Sequence, residues 1–300
     1  MFQAFRSPVF ALSALAFVPF SIAQPVLADP TASAHVSVEQ SEKQRLVSEL
    51  FEVALFDESL DGWQKMFLSL DPSQCACPGQ EDADGRMART WAQSVAQAFQ
   101  PEGVSRQVQY VFARTFSVAE LKKLIDLANR PLVKRFAAAT VATNSLDMPD
   151  EALVAAILSQ TQRAQSDAAL QFALQDIIDT AGFTSEATNA IIEMSIGMTV
   201  GILTATPDGM PRADESQIVS EVESTRDQTY YTVQATMLGS AAFAYRDFSV
   251  EALREYAEVL RDPLMSRSTD VMATAMSAAL RLQGKRIGFH YGRLINAVDL

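Results

Sequence analysis

Cys75-Ala76-Cys77-Pro78-Gly79 holds both sulfhydryls of this 300-residue chain, one residue apart. In an oxidising compartment two cysteines are expected to pair. A bridge across one residue needs a turned backbone that brings the alpha carbons within about 7 Å, and Pro78-Gly79 favours such a turn. The ring would be strained, easily reduced, and a weak constraint on the unfolded chain. A local Cys75–Cys77 disulfide pinning a loop, pairing with another chain, two free thiols, and a redox or metal role all stay open at this point. The spacing is neither Cys-x-x-Cys nor a four-ligand set.

The rest of the chemical inventory is thin. Glu81-Asp82-Ala83-Asp84-Gly85 looks like the start of a calcium loop. With Gly85 at the turn position, Gln80 stands first and Trp91 twelfth, where a bidentate Glu belongs, so the stretch reads as an acidic solvated loop. His35 and His290 are the two histidines, too few for a two-histidine metal site in one place or a Ser-His-Asp triad. The 36 acidic residues give close carboxylates by chance, and no spacing marks a glycosidase-like pair. There is no Gly-rich phosphate loop and no nucleophile elbow. The expectation is a protein that is not an enzyme, with no catalytic, cofactor-binding or metal residue to name.

The amino terminus says where such a protein works. Arg6 followed by an apolar run from Val9 to Phe20, then Ser21-Ile22-Ala23, reads as a secretory signal over residues 1–23, with a second possible cut after Ala28. The run is short of the roughly 20 residues that span a bilayer. Residues 24–41 read as a flexible leader. The expected destination is the periplasm or the exterior, with no transmembrane segment in the mature chain. Removing the signal takes away one Arg and no acid, moving the net charge from −12 to −13. That balance argues against a nucleic-acid partner, whose phosphates demand a basic face.

Few glycines and prolines, and interiors rich in Ala, Leu, Gln and Glu, predict helix nearly throughout. Within that background one sentence of sequence occurs twice. Residues 114–135 and 246–267 align without a gap and agree at eight of 22 positions. In the first, Ser117 and Glu120 form a capping box and Phe116 staples onto Leu121; in the second, Ser249 and the Phe248–Leu253 staple remain while Ala252 replaces the Glu. Pro131 and Pro263 stop one helix and open the next. A weaker likeness, Leu50 to Asp57 against Ile177 to Thr184, extends the repeat upstream at a spacing of 127.

The pattern Phe116-Ser117-x-x-Glu120-Leu121, Pro131, Lys134-Arg135 resembles that of the bacterial domain of unknown function 2059. Leu127-Ala128, Arg130 and Val133 stand where that family has an aromatic pair, Ser and Gly. The second stretch keeps Phe248, Leu253, Pro263 and Arg267. The resemblance implies an exported helical fold and brings no activity or catalytic residue.

The units are expected at 42–145 and 165–283, joined by a linking helix at 146–164 and followed by a tail at 284–300. They are expected to form an all-α fold: two tandem related multi-helix bundles, side by side, with antiparallel neighbours across short loops. Ile192, Met194, Ile196, Met198, Val200 and Ile202 alternate as a strand does, but Gly197 and Gly201 lie four apart as in closely packed helices, and helix is the expectation. Met194, Met198, Met272 and Met276 read as adaptable core packing. Arg281, Lys285, Arg286, His290 and Arg293, interleaved with Phe289 and Tyr291, suit a last helix ending in cations or an anionic partner. The functional expectation is a non-catalytic interaction or scaffolding protein whose partner is an unknown envelope protein; the alternatives are a carrier of an apolar ligand or lipid, and an enzyme of unrecognised type.

Overall fold

A computed structural model of the chain describes residues 30–60, 68, 86–144, 150–205 and 214–296. The described residues are helical apart from short joints, and no strand occurs among them, so the fold is all-α. Cys75, Cys77, the acidic stretch 81–85 and the signal region lie outside the described residues.

The order is α1 (Pro30–Val53), α2 (Arg86–Ala98), α3 (Pro101–Thr115), α4 (Val118–Ala128), α5 (Pro131–Asn144), α6 (Asp150–Ser166), α7 (Ala168–Thr180), α8 (Phe183–Thr204), α9 (Glu215–Glu223), α10 (Arg226–Ala244), α11 (Val250–Leu260) and α12 (Pro263–Asn296). Four begin on Pro, at the position where its missing N–H is no loss. α1 takes in residues 30–41, which the composition had assigned to a leader. Leu46, Val47, Leu50 and Phe51 anchor this helix in the core, and with no Gly or Pro between them and Pro30 its propagation toward the amino end is cheap.

The two motif segments fold alike to within a few degrees. Ser117 (φ −75°, ψ 162°) accepts from the Glu120 N–H, and the Glu120 carboxylate accepts from the Ser117 N–H at 2.8 Å, the expected capping box. Ser249 (φ −74°, ψ 159°) accepts from the Ala252 N–H, and Ala252 offers nothing in return. Each cap opens an 11-residue helix, α4 and α11, and these end at Asn129 (φ −74°, ψ −8°) and Arg261 (φ −76°, ψ −11°). Phe116, Leu121, Phe248 and Leu253 are all buried. Upstream, the aligned Leu55 and Gly182 are the positive-φ residues among those described, at 54° and 66°, each turning one helix into the next.

The helices of the two halves interlock. α1 packs on α3 and α4 as α7 packs on α10 and α11. The first core gathers Phe51, Phe112, Phe116, Leu121 and Trp91, and is completed by Met194 and Met198 of α8 and by Met272, Met276, Ile287 and Tyr291 of α12. The second core surrounds Phe136, which arrives from α5 in the first half. Its ring stacks on Tyr256 at 3.9 Å and meets Phe248 at 4.0 Å and Tyr245 at 4.9 Å. Thus α5 and the start of α12, which are aligned in sequence, each lend side chains to the other half. Side-by-side bundles were expected; the 14-residue α5 and the 34-residue α12 carry side chains from one half into the core of the other.

The most extensive helix pairing is between α8 and α12. A Cβ on Gly197 would run into the Arg281 carbonyl and one on Gly201 into that of Lys285, while Gly284 and Gly288 face the Met194 and Met198 carbonyls. Both series ascend together, so these helices run parallel, which the long connection through α9, α10 and α11 permits. The glycines let the two backbones touch, as small residues four apart do in tightly packed helix pairs. α8 is also long and apolar enough, by length and composition, to cross a membrane, and 56% of its apolar window is buried inside this body. The segment 191–203 is helix, as its glycine spacing predicts, and the four methionines are buried core.

Candidate functional site

Two constellations stand out once the helices are in place. The first is the pair of seats formed by the motif arginines. Arg267 lies over the ring of Phe116 at 4.9 Å, and Arg135 lies over the ring of Phe248, also at 4.9 Å. Both members of one seat align with the members of the other in the gap-free repeat, so each half supplies the arginine that covers the other's stapling phenylalanine. Arg267 goes further. It donates to Glu120 Oε1 at 2.6 Å and to the Thr115 carbonyl at 3.0 Å. The Glu120 carboxyl is held below its ordinary pKa, first by the Ser117 backbone and hydroxyl and then by Arg267. Arg135 has Ala252 at the place of that acid.

The second constellation is a pair of carboxyls. Glu186, in the first turn of α8, is 1% exposed, and both its oxygens lack a hydrogen-bond partner among the described residues. Burial, reinforced by Asp270 of α12, pushes its pKa up to about 10. Burial also raises Asp270, which is half-buried. Glu186 is therefore a neutral acid at pH 7, a hydrogen donor set in the interior, with a second carboxyl of raised proton affinity beside it. Phe183, Ala187 and Ala190 flank Glu186 on the buried side of α8, so an acid inside an apolar helical face was the signal in the sequence. That signal was missed, as was the run Gly284, Gly288, Gly292 that mates with Gly197 and Gly201.

Two shallow depressions lie away from this pair. One, of about 460 Å³, is an open hollow lined by Val38, Ser41, Glu42 and Arg45. The other, of about 220 Å³, runs along α8 and α12 beside Gly197, Val200, Arg281 and Lys285. There Arg281 is tied to Glu193 at 3.2 Å and Glu215 at 3.1 Å. Among the described residues no three His, Cys, Asp or Glu come together as metal ligands.

Of the residues singled out by sequence, the structure brings Phe116, Ser117, Glu120 and Leu121 together at one joint with Arg267, and Phe248, Ser249 and Leu253 at the other with Arg135. Pro131 and Pro263 open α5 and α12 as expected. Trp91, the twelfth position of the would-be calcium loop, is buried against Tyr291 at 5.6 Å. The Met- and Ile-rich segment 191–203 is taken up in packing against α12. No family model, no curated protein and no solved structure matches the chain.

Proposed function

We propose that this chain is an exported, non-catalytic interaction protein built from two divergent copies of one multi-helix unit. The observation that carries the reading is the reciprocal seating of Arg135 on Phe248 and Arg267 on Phe116. Residue i of one half touching j of the other, with j touching i in return, is the relation found across an isologous two-fold interface. Inside a single chain it fits two units copied in tandem and kept paired through the same surface.

The repeated letters serve caps, staples and this pairing, which leaves the exterior for partners. Phe172, Tyr231, Tyr110 and Leu158 stand on that exterior at 80%, 68%, 56% and 55% exposure. Aromatic side chains of this kind are enriched at the centres of protein interfaces. Export rests on the signal-like pattern of the first 23 residues. The resemblance to the domain of unknown function 2059 agrees with an exported helical protein and adds no chemistry.

The test is site-specific photo-crosslinking in intact cells. A photoreactive residue at Phe172 or Tyr231 is expected to trap the same envelope protein reproducibly, and one at the exposed Lys134 to trap none. Equal, diffuse labelling from all three positions overturns the reading.

A further inference from the structure

We propose that the carboxyl-terminal half of α12, with the start of α2 beside it, is a docking face for an anionic phospholipid surface. The proposal rests on the exported interaction reading and names a partner for it. From Val271 to Asn296 the chain carries Arg281, Lys285, Arg286, Arg293 and His290 and no carboxylate, in a protein of net charge −12. The charge is therefore segregated, with the longest acid-free stretch of the last half also its most basic.

Packing decides which of these cations face outward. Arg281 is neutralised by Glu193 and Glu215. Lys285, Arg286 and Arg293 are exposed, and none makes an ion pair with a carboxylate among the described residues. Arg286 donates to the neutral side chain of Gln100 at 3.2 Å, and Arg293 lies 5.8 Å from the centre of the Phe289 ring. Leu282 is 42% exposed and Phe289 is half-buried. Positions 282, 285, 286, 289 and 293 follow helical spacing and share one face, while Leu280, Ile287 and Tyr291 fill the core on the other.

α2 extends the patch. Its Trp91 ring packs edge-on against Tyr291, and Gln100, just beyond its end, meets Gln283 and Arg286. α2 therefore runs antiparallel to α12, and its exposed Arg89 lies toward the end that carries Arg293.

A face of cations alternating with two partly exposed apolar side chains matches the headgroup boundary of a bilayer, where the charges meet phosphates and the apolar groups enter the acyl edge. An acidic polypeptide would want a groove free of carboxylates, and the depression that borders this face, beside Leu282 and Lys285, is itself lined by Glu215. Each Lys or Arg near an anionic membrane raises partitioning by roughly fivefold, about 1 kcal/mol. Three such cations give on the order of a hundredfold.

The experiment is vesicle flotation of the chain as isolated from its export compartment, with phosphatidylcholine vesicles against vesicles that also contain phosphatidylglycerol. Binding to the anionic vesicles alone is expected, weakening as salt rises. The triple variant Lys285→Glu, Arg286→Glu, Arg293→Glu should lose it by a hundredfold or more with an unchanged thermal melt. A control of equal charge, Arg106→Glu, Lys134→Glu, Arg254→Glu, should lose far less. Equal flotation with both vesicle types, no flotation, equal loss in the control, or binding to polyglutamate in preference to vesicles each overturns the proposal. The crosslinking at Phe172 and Tyr231 is read separately, so the docking face and the wider interaction reading fail independently.

Discussion

The joints at Ser117 and Ser249 differ by no more than three degrees in either backbone angle, yet what surrounds them is not the same. The first core holds a chain of rings, Phe51 on Phe56 and Phe112, and Phe112 on Phe116. The second collects Tyr245, Phe248 and Tyr256 around Phe136. In the 132-residue register only Phe116 and Phe248 are shared; Tyr245 aligns with Ala113, Tyr256 with Leu124, and Phe136 with Ser268. The comparison separates two layers of instruction. Caps, staples and prolines reproduce a joint wherever they are written, while the filling of each core has been settled independently, by volume and not by position.

The sharpest way to break that comparison is to empty the ring cluster. Phe136→Ala should cost about 3–5 kcal/mol, because a fully buried aromatic leaves a cavity among three rings. Its aligned counterpart Ser268→Ala should cost less than about 0.5 kcal/mol, since that hydroxyl serves the Met265 carbonyl of its own helix. Urea titrations followed by circular dichroism compare the two; similar losses would mean that the halves are packed alike after all.

Glu186 aligns with Ser59 and tests the second asymmetry. Its native pKa, about 10, lies above the ordinary 4.5, so the native state holds the proton more tightly than the unfolded chain. Below pH 4.5 both states are protonated and the group is neutral in effect. As pH climbs from 4.5 toward 10 the unfolded state alone ionises, and stability falls by up to about 1.4 kcal/mol per unit, on the order of 3 kcal/mol by pH 7. Glu186→Gln is expected to flatten the stability profile between pH 5 and 9, read by denaturant titration at each pH. A wild-type profile already flat there would show that the carboxyl is not isolated.

A third comparison sets glycine against glycine. Gly288→Ala drives a methyl into the Met198 backbone and should lose about 1–3 kcal/mol, with the α8–α12 spacing forced open. Gly103→Ala in α3 meets only the side chains of Gln100 and Gln283, at ordinary contact distance, and should gain about 0.5–1 kcal/mol from the stiffer unfolded chain. Thermal melts of the two variants should therefore shift in opposite directions.

The smallest effects exchange the caps themselves. Glu120→Ala makes the first joint resemble the second and should cost about 1–2 kcal/mol through the lost box and the lost Arg267 partner. Ala252→Glu makes the second resemble the first and should gain up to about 1 kcal/mol as Arg135 acquires an acid. A double-mutant cycle with Arg267 separates capping from ion pairing.

What could be read in advance was whatever short-range rules govern. Ser117 with Glu120, Phe116 with Leu121, and Pro131 and Pro263 act within one turn, and a sequence displays one turn in full. The strand-like alternation from Ile192 to Ile202 resolved into helix because α8 is walled in by α9, α10 and α12, so the apolar residues that alternate point into different neighbours. The destination of Phe136, the neutrality of Glu186 and the parallel course of α8 and α12 depend on which distant surface a helix face meets. A local pattern does not hold that information. Even there the glycines at 284, 288 and 292 marked a face of α12 open to close approach, a signal passed over because its mate lay about 90 residues away.

Trp91 and Tyr291 touch across 200 residues of chain. A polypeptide made amino end first must hold Trp91 without Tyr291 until 200 further residues have been added. Completion of the first core thus waits on a segment made much later. Such an order of assembly is slow by the standard of chains whose neighbours in space are neighbours in sequence, and it leaves the nascent molecule threadable for as long as it is unfinished.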